Sequence, residues 1–131
     1  MSKKALVVDE SLENRILFGR FFQWMGLSVV QASGGAEAIR IYEEDPTFDL
    51  VLVGGLFSGV DSVTVTKLIR QIQVAKRPYI VGVGDHSQYS DRHAKAGMDG
   101  FMVKPGLMPA RIVPGVEPAR RAKNVVPLFG G

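Results

Sequence analysis

The sequence predicts an α/β fold, a (βα)5 open parallel sheet with helices on both faces, and three observations predict it. Short apolar runs alternate along the chain with longer segments whose apolar residues recur at three and four positions. The run Asp49–Val53 (DLVLV) is apolar on both of its faces, as a central parallel strand requires. Each strand-like run is followed by a segment long enough for a helical crossover, which parallel neighbours need.

The elements follow in order. Lys4–Val8 (KALVV) is a strand ending at the acidic pair Asp9-Glu10. Ser11–Met25 is a helix with Ser11 as N-cap and Asn14 where a capping-box acid would sit. Its apolar face is expected to run through Leu12, Ile16, Phe18, Phe22 and Met25, and Gly26 stops it. Phe21 and Trp24 add further aromatic bulk, more than one stripe can bury. Leu27–Gln31 is the second strand. Ser33-Gly34-Gly35 opens a second helix through Ala36, Ala38, Ile39 and Tyr42, closed by Asp45-Pro46. Asp49–Val53 is the third strand, running into Gly54-Gly55.

Asp61–Gln73 is ambiguous. Its β-branched run from Val63 to Thr66 favours a strand, but Val65, Leu68, Ile69 and Ile72 keep helical spacing, so a helix capped by Asp61 is expected. Tyr79–Val83 is the fourth strand. A polar helix over 87–96 ends at Gly97, and Gly100–Val103 is the fifth strand, reaching Lys104-Pro105. Pro109, Pro114 and Pro118 break what would be a fifth helix, because proline costs about 3 kcal/mol in a helix interior. Residues 1–105 are thus the domain body, and 106–131 an irregular or partly helical basic segment that completes it.

Composition narrows the function. The 131 residues contain no cysteine, which removes disulfides, thiolate metal sites and cysteine nucleophiles. No apolar run approaches the roughly 18 residues that span a bilayer, and the expected location is cytoplasmic. The net charge of +3 lies wholly in the tail, where Arg111, Arg120, Arg121 and Lys123 face only Glu117. The body is neutral, without the basic stripe of a nucleic-acid binder, so nucleic acid is not the expected partner. His86 and His93 fit no metal-ligand spacing and are expected as exposed polar residues.

In an open parallel sheet, ligands bind beyond the C-terminal strand ends. Those ends here carry Asp9-Glu10, Gly54, Val83-Gly84 and Lys104. With ALVVDES, the first- and second-helix segments from Asn14 to Ile39, FDLVLV and AGMDGFMVKP, the chain from about Lys4 to Pro105 resembles the receiver domain of two-component response regulators, a flavodoxin-like fold. That family moves a phosphoryl group from a histidine to an aspartate. The resemblance implies an attacking carboxylate after the third strand, an acidic pair holding Mg²⁺, a lysine after the fifth strand and a Ser or Thr hydroxyl after the fourth.

Asp9 and Glu10 keep the acidic pair, and Lys104 keeps the ammonium, followed by Pro105. Asp61 matches an acidic position in the loop. The phosphoacceptor position falls on Gly54, which has nothing to attack with, and the Ser/Thr position falls on Val83. Phe57-Ser58 replaces the family's Met-Pro, and the aromatic switch position is Phe101. The resemblance therefore implies a pseudo-receiver, a non-enzymatic signalling module acting by phosphorylation-independent protein–protein interaction. Its expected partners are a histidine kinase, a phosphotransfer protein or another receiver, met through the first helix or through the fourth helix and fifth strand. A homodimer is compatible with this. Asp9 and Glu10 would hold Mg²⁺ weakly at most, with no other cofactor. Two alternatives stand beside it: phosphorylation at a non-standard residue such as Ser58 or Asp61 with Mg²⁺ on Asp9 and Glu10, or small-anion binding at the N–H groups of Gly54-Gly55.

Overall fold

The computed structural model describes residues 3–56, 58–72, 74–84 and 91–103. The five strands are β1 (Lys4–Val8), β2 (Ser28–Ala32), β3 (Leu50–Val53), β4 (Tyr79–Gly84) and β5 (Gly100–Val103). The helices between them are α1 (Leu12–Trp24), α2 (Gly35–Glu44), α3 (Ser62–Gln71) and α4 (Asp91–Ala96). All strand pairs are parallel, in the order β2-β1-β3-β4-β5. The order reverses at β1, so its C-terminal end and that of β3 flank the crevice where such sheets place their sites.

Alternation along each strand divides the core into two layers. Ala5, Val7, Leu50, Leu52, Val81 and Val83 face α1, whose Phe18, Phe21 and Phe22, with Met25 at its C-cap, pack on them. Leu6, Val8, Val51, Val53 and Ile80 face the other way, onto Tyr42 of α2, Val65 and Ile69 of α3, and Met98. Burying Phe18, Phe22, Tyr42 and Phe48 almost completely contributes roughly 1.5–3 kcal/mol each.

Local signals set the helix starts. The Ser11 hydroxyl accepts the Asn14 N–H at 3.3 Å, and Asp61 accepts the Thr64 N–H at 2.8 Å. The ambiguous segment is therefore a helix, its weak first turn held by the Asp61 cap, with Val63, Val65 and Ile69 buried. Tertiary burial outweighs the β-branched propensity. The Asp61 carboxyl is held below its ordinary value mainly by the Thr64 hydrogen bonds.

Two expectations are corrected. Leu12 and Ile16 are exposed, at 58% and 37%, rather than on the core face. The step from Ile16 to Phe18 is two residues, which turns about 200° around a helix and crosses to its other side. The buried stripe is Phe18, Phe21, Phe22 and Met25, so Leu12, Ile16 and Leu17 form the exposed apolar surface of α1. His93 is the second correction. It is 8% exposed, and its ring meets Phe101 edge-on at 5.7 Å between centroids. The six-residue α4 offers little apolar bulk, and the imidazole with Ala96 supplies its inner face. Residues 85–90, with His86, and the tail from Lys104 onward lie outside the described residues. The broken fifth helix expected from the prolines falls there too.

Candidate functional site

The C-terminal strand ends converge as the sequence order implies. Val8 pairs with Val53 and Val53 with Gly82. One step further along, Gly54 is flanked by Asp9 on β1's side and Val83 on β4's, with its N–H on the Val8 carbonyl at 2.7 Å. Lys104 and Phe57 lie outside the described residues, so the geometry here rests on Asp9, Glu10, Gly54, Gly55, Ser58, Val83 and Phe101.

Asp9 is 1% exposed. Its Oδ1 accepts the Ser11 N–H at 2.8 Å, and its Oδ2 accepts the Gly55 N–H at 3.0 Å and the Asn14 Nδ2 amide at 3.2 Å. Among the described residues the donors on this carboxylate are thus all neutral. Such charge-assisted bonds are stronger than neutral ones and make burial of the charge tolerable. Arg15 reaches the same residue from the other side, donating to the Asp9 carbonyl at 2.7 Å.

Gly54 makes this arrangement fit. A β-carbon built on it would lie 2.0 Å from Asp9 Oδ2 and 3.0 Å from Asp9 Cγ. The glycine is required by space and not by backbone conformation, since positive φ is confined to Gly26, Gly59 and Gly97 among the described residues. The N–H groups expected to be free for an anion are in use: Gly54 serves the β1 ladder and Gly55 serves the carboxylate of Asp9.

Glu10 turns towards the loop after β3. Its Oε2 accepts the Ser58 N–H at 2.8 Å and the Ser58 hydroxyl at 3.2 Å, while its own N–H donates to the Gly55 carbonyl at 3.0 Å. With the Asp9–Gly55 bond, these contacts fasten the β1–α1 loop to the β3–α3 loop. The two acids, adjacent in sequence, thus serve different partners. Asp61 stands apart as the cap of α3.

Beside Gly54 lies a cleft of about 200 Å³ lined by Gly54, Gly55, Ser62, Val83, His93 and Phe101. Phe101 fits here because Gly82 carries no side chain; a β-carbon there would approach its ring to 2.9 Å and Met98 Sδ to 2.6 Å. The aromatic ring is wedged between the Gly82 backbone and His93. Sequence reasoning missed Asn14 and His93 as parts of this site, and it named Ser58 as a non-standard acceptor without its bond to Glu10. Asn14 had a signal, since a helix N3 amide lies one turn from the preceding acid. His93 had none.

An open five-stranded parallel sheet with an acidic strand end at its switch point defines a class of α/β signalling and ligand-binding folds, and the comparisons specify which. Residues 5–113 match the response regulator receiver domain. Hybrid signal transduction histidine kinase A of Dictyostelium discoideum is 31% identical over 108 residues, 79% of this chain but 5% of that protein. Chemotaxis protein CheY of Bacillus subtilis is 31% identical over 107 residues, 80% of this chain and 88% of that one. In structure, a receiver domain (CheY-like) from Methylobacillus flagellatus superposes with a TM-score of 0.73 at 17% identity, covering 81% of this chain and 89% of the other. The chain belongs to the response regulator receiver domain family. Receiver domains are signalling modules of two-component systems that interact with kinases and other signalling proteins. No helix among the described residues is long and apolar enough to cross a membrane.

Proposed function

We propose that the chain is a pseudo-receiver, a non-enzymatic module that signals by protein–protein interaction without aspartyl phosphorylation. One observation carries this reading. Where the family places its attacking carboxylate, Gly54 offers only backbone, and the space a side chain would leave by is filled by Asp9. Val83 beside it provides no hydroxyl to hold a phosphoryl group, and Phe101, the switch-equivalent ring, has none to couple with it. Lys104 remains in the sequence as the family's ammonium. The acidic pair would bind Mg²⁺ weakly at most, since both carboxylates already serve protein donors.

The partner in this reading is a histidine kinase, a phosphotransfer protein or another receiver, and the setting is cytoplasmic. The exposed Leu12, Ile16 and Leu17 of α1 supply apolar surface for such a contact. A second reading draws on the Ser58 hydroxyl, which lies 3.2 Å from Glu10 and so has a carboxylate in reach to take its proton. Intact-mass measurement after treatment with a small-molecule phosphodonor and Mg²⁺ separates the two. No phosphoryl adduct is expected; an adduct removed by Ser58→Ala would establish the second reading, and any other adduct would end the first.

A further inference from the structure

We infer that residue 54 gates a divalent-cation site: the missing β-carbon lets Asp9 be bound from within the protein, and a single β-carbon at position 54 would turn its carboxylate out beside Glu10. The inference rests on the receiver reading only for why a cation belongs at this acidic pair; the capture of Asp9 is geometry.

A hard cation such as Mg²⁺ needs oxygen ligands with free lone pairs directed at it. The groups around Asp9 have the opposite polarity. Three N–H donors, from Ser11, Gly55 and Asn14, point their hydrogens at its two oxygens at 2.8–3.2 Å. Glu10 Oε2 is likewise spent on Ser58. The acids therefore do not fit the cation as they stand, and Asp9 is buried to 1%. The protein's own backbone and amide donors occupy the places the metal would need.

Asp9 can adopt this position because position 54 is empty. A β-carbon 2.0 Å from Oδ2 is far inside any non-bonded contact, so the carboxylate and that carbon cannot coexist. The carboxylate is the one to move, since it ends a flexible side chain whereas position 54 is fixed by its N–H bond to Val8. Alanine at 54 meets no backbone strain, because Gly54 does not have positive φ. Once displaced, Asp9 loses the Gly55 and Asn14 donors and must find water or a cation. Gly54 and the inward Asp9 are then two halves of one change, and the cation site is closed by a carboxylate of the protein itself.

Mn²⁺ titration followed by water-proton relaxation tests this on the full chain. The natural protein should bind Mn²⁺ weakly. Gly54→Ala should bind about tenfold tighter, as expected when an acceptor is released from charge-assisted hydrogen bonds, and Asp9→Asn added to it should cancel the gain. Asn14→Ala, which removes one donor without crowding the site, should shift affinity the same way by a smaller factor. It carries the test if the amide spectrum shows Gly54→Ala to be unfolded. Equal Mn²⁺ affinity in the natural protein and these variants overturns the inference, as does a gain that survives Asp9→Asn. A phosphoryl adduct on the natural protein would instead end the pseudo-receiver reading and leave the ordering of Mn²⁺ affinities untouched.

Discussion

The two ends of the sheet hold their carboxylates in contrasting ways. At the N-terminal end, Asp49 and Asp99 each immediately precede a strand, β3 and β5, and each accepts a backbone N–H from the neighbouring strand: Lys4 at 2.8 Å and Ile80 at 2.8 Å. Each is also paired with cations. Asp49 meets Lys76, with Lys3 at 3.8 Å, and Asp99 meets Arg70 at 2.7 Å and Arg77 at 2.8 Å. Arg70 carries the second lock further, donating to the Gly97 and Pro78 carbonyls and tying α3 to the turns flanking β4 and β5. At the C-terminal end Asp9 is buried more deeply, yet among the described residues its carboxylate is held by neutral donors. Opposite charge thus anchors the structural end, whereas at the candidate site the backbone itself takes the place of a ligand.

That difference reverses the ranking a count of ion pairs would suggest. Asp9→Asn should be the costlier change. Either way the new amide is turned, its NH₂ faces a donor, Ser11 N–H on one side or Gly55 N–H and Asn14 on the other, leaving buried groups unpaired. We expect a loss of about 2 kcal/mol in denaturant unfolding. Asp49→Asn keeps an amide oxygen for the Lys4 N–H and frees Lys76 and Lys3, which are 55% and 45% exposed and can turn to water. The expected loss is about 1 kcal/mol, and it should shrink in high salt while the Asp9→Asn loss does not. A larger loss at Asp49 than at Asp9 would break the comparison.

Acid provides a second, smaller test, confined to the N-terminal end. Burial alone would raise the Asp49 carboxyl, but the Lys76 and Lys4 hydrogen bonds and the charges of Lys76 and Lys3 hold it below the ordinary 3.8. Asp99 behaves alike: burial raises it, and the bonds from Arg77 and the Ile80 N–H with the charges of Arg70 and Arg77 bring it below 3.8. For a depressed carboxyl the unfolded chain takes up the proton first as pH falls. The stabilisation is therefore complete above pH 3.8 and is lost as pH drops below it towards the folded-state values. The stability difference between the natural protein and Asp49→Asn should be constant from neutrality down to that point and shrink below it. A difference that grew in acid would contradict the pairing.

Much of the N-terminal half of this picture was out of reach of the sequence. Asp49 and Asp99 read only as residues flanking strands, because their partners Lys4, Lys76, Arg70 and Arg77 are brought to them by strand order. The strands were legible, since alternation and continuous apolar runs are local signals. Asp9, Glu10, Gly54 and Val83 could be aligned with a family pattern for the same reason. The inward turn of Asp9 could not, although a glycine at a strand end facing an acid is the pattern that close approach leaves. The misread face of α1 came from accepting a two-residue step inside a three-and-four spacing. The burial of His93 depended on how little else its short helix had to offer.

The smallest predicted effect isolates what satisfaction by neutral donors contributes. Tyr42 lies between the two ends, fully buried, with its phenol stacked beside Phe48 at 6.2 Å between ring centroids. Its hydroxyl finds no hydrogen-bond partner among the described residues, and burial pushes its pKa up. An unpaired buried hydroxyl costs desolvation without return, whereas the ring alone accounts for the packing. Tyr42→Phe should therefore be neutral or stabilising by about 0.5–1 kcal/mol, the opposite sign to removing the carboxylate of Asp9. Denaturation midpoints of the two variants side by side check this. A clear loss on removing the Tyr42 hydroxyl would mean that it is bonded in solution, and that burial without a visible partner is a poor guide to cost in this core.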